Sequence, residues 1–394
     1  MSVSHARVVP ALPPVVVTGG EIAGLLDVLG GMPDPRKRRG VRHALVAVLM
    51  VSVIAVLAGA QNFREMGDEA ADLAPQILER IKARWCHRRM LWLAPSSATI
   101  RRVIGDVDAD HLDEVIYRWL RARTGWDTRD AEQQWLLALD GKTATGASRP
   151  GDEVKLFSAL VHGQATVIAQ LRVPAGTNEI TQVRPLLSQV DATGALITTD
   201  AAHTQRDTAV FVVEECHADY LMQVKGNQPH LLQEISDRLA RRDRKHPDHL
   251  DREHDRGRIT ERSVWVEPAA GIDWPHAAQV FLIRREVLDL TEARISREFV
   301  FGITSRAPAQ ASPAQINTAT RSHWHIENRA HLVRDVAFGE DAHQAYLGAT
   351  PQVLATLRNL AMNMIRLAGS NEIKRTLQHI RRDRTRALDL IGLT

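Results

Sequence analysis

Cysteine is almost missing from this chain: among 394 residues only Cys86 and Cys216 occur, far apart and outside any CxxC pair. This scarcity argues against a disulfide framework or a zinc ribbon, and it fits a reducing cytoplasm. Internal repeats and low-complexity tracts are also missing, so the chain is expected to be globular, with two or three domains. The net charge is only +3. A sequence pI of about 9.0 and the excess of Arg over Lys nevertheless favour an anionic partner.

Long apolar runs are limited to one stretch, residues 44–60, which follows the basic residues 36–39. A secretory signal would begin nearer the N-terminus, and a membrane span needs about 18–20 apolar residues. We therefore predict a buried helix inside an N-terminal helical domain and expect no membrane association. A membrane anchor is the alternative.

Helical periodicity continues from this stretch to about residue 125. The clearest helix start is Pro95-Ser96-Ser97, where hydroxyl side chains precede the apolar residues of the next helix. We predict that residues 1–125 form a helical domain that binds DNA. A helical cap that only packs on the rest of the chain is the alternative.

From residue 132 the period changes to that of strands. Apolar runs of strand type lie at 135–140, 155–162, 166–173, 196–199 and 220–224. The first three can form a meander, and the others alternate with helical segments. This order predicts an α/β domain with a ribonuclease-H-like mixed sheet flanked by helices. We assign residues 126–225 and 321–394 to it, the second part ending in a helical tail.

Residues 226–320 interrupt this order before the last acidic helix, and they contain further strand-like pieces. We predict a β-rich insertion. Its dense charge run at residues 238–262 is either a solvated face or a DNA-facing arm. Trp265 and Trp274, both in the insertion, are candidates for stacking on an unpaired base.

Three carboxylates stand out by position. Asp140 ends the first apolar strand, Asp200 ends the fourth, and Glu327 lies among histidines and arginines on a late helix. In a ribonuclease-H-like sheet the first and fourth strands are neighbours, so we expect the aspartates to meet and Glu327 to close the group. Carboxylate oxygens suit Mg²⁺, and two such cations about 4 Å apart neutralise the attacking and leaving oxygens of a phosphodiester. Turn formation is the alternative for a single aspartate at a strand end.

Zinc is the alternative metal. His323, Glu327 and His331 are spaced four residues apart and can share a helix face, but no HExxH pattern and no clear fourth ligand accompany them. We therefore expect Mg²⁺, with Mn²⁺ able to substitute.

Several motifs together point to one family. They are Asp140-Gly141-Lys142, Thr198-Thr199-Asp200-Ala201-Ala202-His203-Thr204-Gln205, Val224-Lys225-Gly226-Asn227-Gln228-Pro229 and His323-Trp324-His325-Ile326-Glu327-Asn328. In this combination, from about residue 22 to residue 367, the chain resembles the DDE transposases of bacterial insertion sequences, in particular the H-repeat-associated group. The resemblance implies that Asp140, Asp200 and Glu327 form a metal-binding catalytic triad.

The resemblance also implies cationic contacts to DNA. In larger relatives a Tyr, an Arg and a Lys around the glutamate hold DNA phosphate. Here His323 and Arg334 stand at the two cationic positions, and Thr320 stands at that of the Tyr. Lys142 and Lys225 are further candidates for phosphate contacts.

The implied function is that of a Mg²⁺-dependent transposase in the cytoplasm, associated with the nucleoid. It would bind the terminal repeats of its element as double-stranded DNA, cleave at the ends, and join the freed 3′-hydroxyl to target DNA. Because transposition pairs two ends, a homodimer in a synaptic complex is implied. The alternatives are a catalytically inactive DNA-binding relative and a nuclease that only hydrolyses DNA.

Overall fold

The structure, a computed structural model, describes residues 24–39, 41–130, 135–147, 153–255 and 257–393. The helices in these residues are α1 (Leu25–Gly30), α2 (Leu45–Leu57), α3 (Phe63–Ala71), α4 (Pro75–Arg80), α5 (Ser97–Asp106), α6 (Ala109–Thr124), α7 (Val183–Leu187), α8 (Arg206–Val210), α9 (Pro229–Ala240), α10 (Pro313–His325), α11 (Leu332–Phe338), α12 (Thr350–Leu367), α13 (Ile373–Arg382) and α14 (Thr385–Leu390). The strands are β1 (Arg84–Cys86), β2 (Leu91–Leu93), β3 (Leu136–Thr143), β4 (Lys155–Val161), β5 (Thr166–Arg172), β6 (Leu196–Thr199), β7 (Asp219–Val224), β8 (His249–Asp255), β9 (Arg258–Pro268), β10 (Gln279–Leu288) and β11 (Arg294–Thr304). π-helical segments follow α8 at Phe211–Glu215 and α10 at Ile326–His331.

The chain divides into two units, one of Met1–Thr128 with Val333–Thr394 and one of Arg129–Leu332. The first unit is helical, and α2 lies at its centre against α3, α5 and α12. Every residue of α2 except Val46 is buried, because a helix that is apolar all round has no face that prefers water. In the described part of the chain, no helix is long and apolar enough to cross a membrane.

Helix α12 packs within the helical unit, and this differs from the predicted domain division. Its Asn359 donates a hydrogen bond to the Tyr117 hydroxyl of α6 at 2.9 Å, and its Gln352 donates to Asp113 of the same helix at 2.9 Å. Residues 321–394 were predicted to belong with the catalytic sheet, but from Val333 onward the chain groups with the N-terminal helices. The physical reason is that α12 is buried on nearly all sides and finds its apolar partners there.

The second unit is built on a sheet whose nine strands, among the described residues, run in the order β5-β4-β3-β6-β7-β11-β10-β9-β8. The pairs β3–β6 and β6–β7 are parallel, and the other neighbours are antiparallel. A meander of β3 to β5 is followed by alternating strands and helices. The predicted α/β class, with a mixed sheet flanked by helices, is therefore confirmed, as is the pairing of the first predicted strand with the fourth.

Strands of the predicted insertion extend this same sheet. Strand β11 pairs with β7, and the strands β10, β9 and β8 then follow in this order toward the edge of the sheet. The charge run at residues 238–262, predicted to be a solvated face or a DNA-facing arm, contains β8 and the start of β9. Opposite charges face each other there, with Arg252 opposite Glu261 and Asp251 opposite Arg262. Cross-strand attraction between opposite charges thus stabilises these strands. Their polar composition is the reason why the sequence did not predict them.

Helix α10 packs on the sheet and leads into the π-helical segment Ile326–His331. A capping box starts the helix: Ser312 Oγ accepts from the Gln315 backbone N–H at 3.4 Å, and the Gln315 side chain accepts from the Ser312 backbone N–H at 2.8 Å. Ile316 packs in a buried cluster with Phe281 of β10. This packing sets where the segment that carries Glu327 begins.

Candidate active site

The two aspartates predicted to meet belong to neighbouring parallel strands: Asp140 lies within β3, which continues to Thr143, and Asp200 directly follows the last residue of β6. Leu139 of β3 is the partner of Thr199 of β6, so Asp140 and Asp200 are the next residues on two adjacent strands that run in the same direction. Asp200 directly follows β6 and caps the next turn, where its carboxylate accepts the backbone N–H of His203 at 3.4 Å. The structure therefore brings Asp140 and Asp200 together.

The carboxyl group of Asp140 is strongly perturbed. Its side chain is only 25% exposed, and burial raises its pKa to about 7, with further increases from the negative charges of Asp200 and Glu179. The Gly141 backbone N–H and His203 oppose this rise in pKa only in part. A cation placed among these carboxylates would turn their repulsion into attraction, so the electrostatics of this sheet end favour a bound cation.

Two members of this cluster had no role in the sequence predictions, Glu179 and His203. The Glu179 carboxylate lies against Gly141, where an added Cβ would come within 2.1 Å of it. His203 is buried, with its ring stacked on Phe157 at 4.9 Å between centroids. Its Nε2 lies 3.7 Å from Glu179 and 3.9 Å from Asp200. In the sequence, His203 stands in a quoted motif, whereas Glu179 looks like an ordinary acidic residue in a first helical turn.

Glu327 lies on the π-helical segment Ile326–His331 with its side chain exposed. The residue of this segment that lies against Asp140 is His331, with 3.6 Å between His331 Nδ1 and Asp140 Oδ2. Across the described residues, no three His, Cys, Asp or Glu side chains are grouped so as to hold a metal ion. Glu327 is therefore on the element next to Asp140, but the predicted triad is not assembled around one point.

His323, predicted to hold a DNA phosphate, is instead buried in a chain of three side chains. Its Nδ1 lies 3.1 Å from the Thr198 hydroxyl, which also lies 3.0 Å from Nε2 of His162. Burial lowers the pKa of His323 to about 4, so the ring is neutral at pH 7. A neutral ring that is 5% exposed offers a phosphate neither charge nor an open face. Because His323 contacts Thr198 while His331 lies against Asp140, the histidines of the zinc alternative also have separate surroundings.

The other predicted phosphate contacts differ in exposure. Arg334, in the helical unit, is fully buried, and two of its guanidinium nitrogens bond the two carboxylate oxygens of Glu340 at 2.5 Å each. Lys142 is buried on β3, whereas Lys225 is exposed after β7. Of the four cationic candidates, only Lys225 therefore presents its side chain to solvent. The sequence could not show this, since the residue type alone does not reveal whether a side chain is buried or paired.

Both tryptophans predicted as stacking platforms are also buried. Trp265 donates its indole N–H to the backbone carbonyl of Asp243 at 2.9 Å, and Trp274 is 6% exposed. Their rings belong to the packing of the α/β unit and do not face a nucleic-acid base.

The mixed sheet, with Asp140 on β3 and Asp200 directly after the neighbouring parallel strand β6, defines an α/β protein with two neighbouring aspartates. Residues 124–364 match the family model described as "Transposase DDE domain", and residues 26–120 match the model described as "DDE_Tnp_1-associated". The chain belongs to the transposase DDE domain family.

Individual relatives agree with this membership and confirm the resemblance found in the motifs. The H repeat-associated putative transposase YhhI of Escherichia coli (strain K12) is 26% identical over 359 residues, which cover 88% of this chain and 91% of the relative. The putative transposase YncI of the same organism is 30% identical over 219 residues, which cover 52% of this chain and 79% of the relative. A solved piggyBac transposase synaptic complex with hairpin DNA aligns over 93% of this chain and 78% of its own, with a TM-score of 0.41 and 10% identity. That structural likeness is too remote to carry an assignment.

Proposed function

We propose that this member of the transposase family cleaves DNA at the ends of its element and joins the freed 3′-hydroxyl to target DNA, using a divalent cation bound at Asp140 and Asp200. The observation that carries the proposal is that these aspartates directly follow Leu139 and Thr199, which are partners on adjacent parallel strands; burial and neighbouring carboxylates there raise the pKa of Asp140 to about 7. The sheet around them is proposed to be of the ribonuclease-H-like type.

The side chains at this sheet end fit Mg²⁺ or Mn²⁺ in kind, because hard cations prefer carboxylate oxygens and keep part of their water shell. Asp140 and Asp200 would hold the cation, and Glu327 would add a third carboxylate from the neighbouring π-helical segment. When bound, the cation supplies charge neutralisation at the attacking and leaving oxygens of the phosphodiester.

The proposed reaction is two successive displacements at phosphorus. In the first, a water oxygen forms a new bond to phosphorus and the P–O3′ bond breaks; the departing oxygen takes up a proton and becomes the 3′-hydroxyl of the element. In the second, the oxygen of that hydroxyl loses its proton and forms a bond to a target phosphorus, while the target's own P–O3′ bond breaks and the departing oxygen takes up a proton to become a target 3′-hydroxyl. No oxidant, reductant or further cofactor is needed.

Binding of double-stranded DNA is proposed for the helical unit, with the β1–β2 hairpin as its main contact. The hairpin tip carries the exposed residues His87, Arg88 and Arg89. Trp85 packs edge to face on Trp92 across the hairpin at 5.2 Å, which holds the tip in one shape. Arginines presented in this way suit contacts to the DNA backbone, which strengthen binding and make it sensitive to salt.

The experiment compares strand cleavage by the wild type with that of Asp140→Asn, Asp200→Asn and Glu327→Gln. The DNA is the genomic segment that encodes the protein together with its flanking sequence, incubated with Mg²⁺ or Mn²⁺. Asp207→Asn is the matched control, since Asp207 is an exposed aspartate in the first turn of α8. We expect each site variant to lose at least about a hundredfold in cleavage rate and the control to keep the wild-type rate.

Each rival function gives a different result. If Asp200→Asn cleaves as fast as the wild type, the proposed site is wrong. Cleavage without joined products would indicate a nuclease that only hydrolyses DNA. If the wild type binds the DNA but cuts none under any divalent cation, the protein is a DNA-binding relative without catalysis.

A further inference from the structure

We propose that the helical unit binds a single DNA strand in a groove formed by α3, α5 and the segment 343–350, which we call the α3–α5 groove. Its arginines bind phosphates of the strand, and an exposed aromatic ring stacks on an unpaired base. The inference rests on the proposed function, because it takes DNA as the ligand of the helical unit. Three features support it: the shape of the groove, its unpaired positive charges, and the apolar side chains beside them.

The first feature is a concave space within one unit. The larger part of the groove has a volume of about 700 Å³, and the smaller part has a volume of about 250 Å³. Helices α3 and α5 lie so close together that a Cβ on Gly67 would be 2.6 Å from the Cβ of Ser97. The segment 343–350 is fixed to α5, because the Ala349 backbone N–H donates to the Gly105 carbonyl at 3.3 Å. A cavity of this size suits a group as large as a nucleotide, whereas a duplex is too wide to enter it.

The second feature is positive charge that is left unpaired. Arg64 of α3 and Arg101 of α5 line both parts of the groove, and Arg102 lines the larger part. These side chains are exposed, and within the described residues none of their guanidinium groups makes a hydrogen bond or an ion pair. Among the described residues that line the groove, only Asp106 is acidic. The groove therefore attracts an anion, and cations on two helices suit a strand with several phosphates better than one phosphate ion.

The third feature is a set of apolar side chains beside the arginines. Phe63 lines both parts of the groove and packs edge to face on His343, with 5.4 Å between the ring centroids. Tyr346 and Leu347 line the groove and are 39% and 57% exposed. Unpaired arginines by themselves would indicate only a solvated surface. Large apolar side chains next to them indicate a ligand that combines negative charge with a flat ring, and a nucleotide has both.

The strand in this groove is single, because a base that stacks on Tyr346 cannot at the same time be stacked within a duplex. The groove is also close in sequence to the β1–β2 hairpin, the proposed contact to double-stranded DNA. Strand β2 ends at Leu93, and α5 begins at Ser97. The hairpin and the groove thus give the helical unit one contact for a duplex and another for an unpaired strand.

The test measures the binding of a fluorescent thymidine oligonucleotide to the full-length protein by anisotropy, without divalent cations so that no strand is cut. The double variant Arg64→Gln/Arg101→Gln should bind at least about tenfold more weakly. Because each phosphate contact on a single strand contributes about 0.7 to the slope of log affinity against log salt, this slope should decrease by about 1.4. The control Lys374→Gln/Arg382→Gln removes two exposed charges from α13 and should bind within about twofold of the wild type.

Tyr346 allows a test of stacking that involves no charge. Tyr346→Ala should weaken binding of the oligonucleotide by about five- to a hundredfold, with the salt slope unchanged, because it removes a ring and no cation. Tyr346→Phe keeps the ring and should bind within about twofold of the wild type. Thermal unfolding of all variants should match that of the wild type, since the altered side chains are exposed.

Several outcomes would overturn the groove. Wild-type binding of the oligonucleotide by Arg64→Gln/Arg101→Gln or by Tyr346→Ala would show that the groove does not hold the strand. An equal loss of binding to the same oligonucleotide paired with its complement would show a general effect of charge. Thymidine monophosphate that competes as well as the oligonucleotide, at equal nucleotide concentration, would show a site for a free nucleotide.

A parallel measurement separates this inference from the proposed function. Arg88→Gln/Arg89→Gln, in the hairpin, should weaken binding to the duplex. If it does so while the groove variants bind the single strand as the wild type does, the proposed function stands without the groove. If the wild type binds neither the duplex nor the single strand, both proposals fail.

Discussion

The hydroxyl of Thr198 offers the sharpest test of how the buried polar groups behind the proposed site are held. Thr198 lies on β6, two residues before Asp200, and its Oγ1 is 3.0 Å from His162 Nε2 and 3.1 Å from His323 Nδ1. A hydroxyl has one proton, so it donates to one ring nitrogen and accepts an N–H from the other. The two imidazoles must therefore be protonated in complementary ways.

Thr198→Val keeps the shape of the side chain and removes both hydrogen bonds. Each buried nitrogen left without its partner costs about 1–3 kcal/mol, so we expect the loss of two partners to lower the free energy of unfolding by about 2–6 kcal/mol. In a domain of this size each kcal/mol lowers the melting temperature by about 2–4 °C. The variant should therefore melt about 4–24 °C below the wild type, as measured by calorimetry. Urea unfolding followed by circular dichroism would give the loss in free energy.

The neighbouring Thr199 provides the control. It lies on the same strand, is 1% exposed, and its hydroxyl has no hydrogen-bond partner among the described residues. Thr199→Val exchanges a buried, unpaired hydroxyl for a methyl group, so it should be neutral or stabilising. If Thr198→Val proves no less stable than Thr199→Val, the bridging hydroxyl contributes nothing and the reasoning is refuted.

Three further predictions concern other buried groups. The pKa of His323 falls from 6.5 to about 4 on folding, so the folded state binds fewer protons than the unfolded state. The stability present above pH 6.5 should therefore be lost toward pH 4, by about 3 kcal/mol as measured by urea unfolding. An equally steep loss of stability in a His323→Gln variant would contradict this. Glu340→Gln leaves the Arg334 charge buried without its partner and should lower the free energy of unfolding by about 3–5 kcal/mol. Glu372→Gln, the control in an exposed ion pair, should lower it by less than about 1 kcal/mol. Equal melting temperatures of the two variants would contradict the prediction. Gly302→Ala puts a Cβ 2.1 Å from the Phe281 ring and should cost about 1–3 kcal/mol, while Gly226→Ala, with no atom within 4 Å, should unfold nearly as the wild type does.

Much of the α/β unit could be predicted from local pattern. The apolar runs that became β3, β6 and β7 are bounded by turn residues, and their order implied the parallel pairing of β3 with β6. Strand β8 was missed because a strand stabilised by cross-strand ion pairs has the composition of a solvated loop. The C-terminal helix α12 was assigned to the other unit. Its apolar sequence indicates that the helix is buried, but it does not indicate which elements the helix packs against.

The residues of the candidate site were likewise only partly predictable from the sequence. Asp140 and Asp200 were predictable because each follows an apolar run, and in a ribonuclease-H-like sheet the strands of these two runs are neighbours. The position of Glu179 was not predictable, since only the folded chain brings its carboxylate beside Gly141. His323 and Arg334 were predicted as exposed cations, whereas the structure buries both, one bonded to Thr198 and the other paired with Glu340.

By itself, the order of residues determined the family, the α/β class and the two aspartates that follow apolar runs, because these follow from local periodicity and from motifs read along the chain. Tertiary structure alone decided which charges are buried, which carboxylates share one place, and which histidines are neutral. The reason is physical: burial and electrostatic coupling depend on distances between residues far apart in the chain, and those distances exist only once the sheet and its helices have packed.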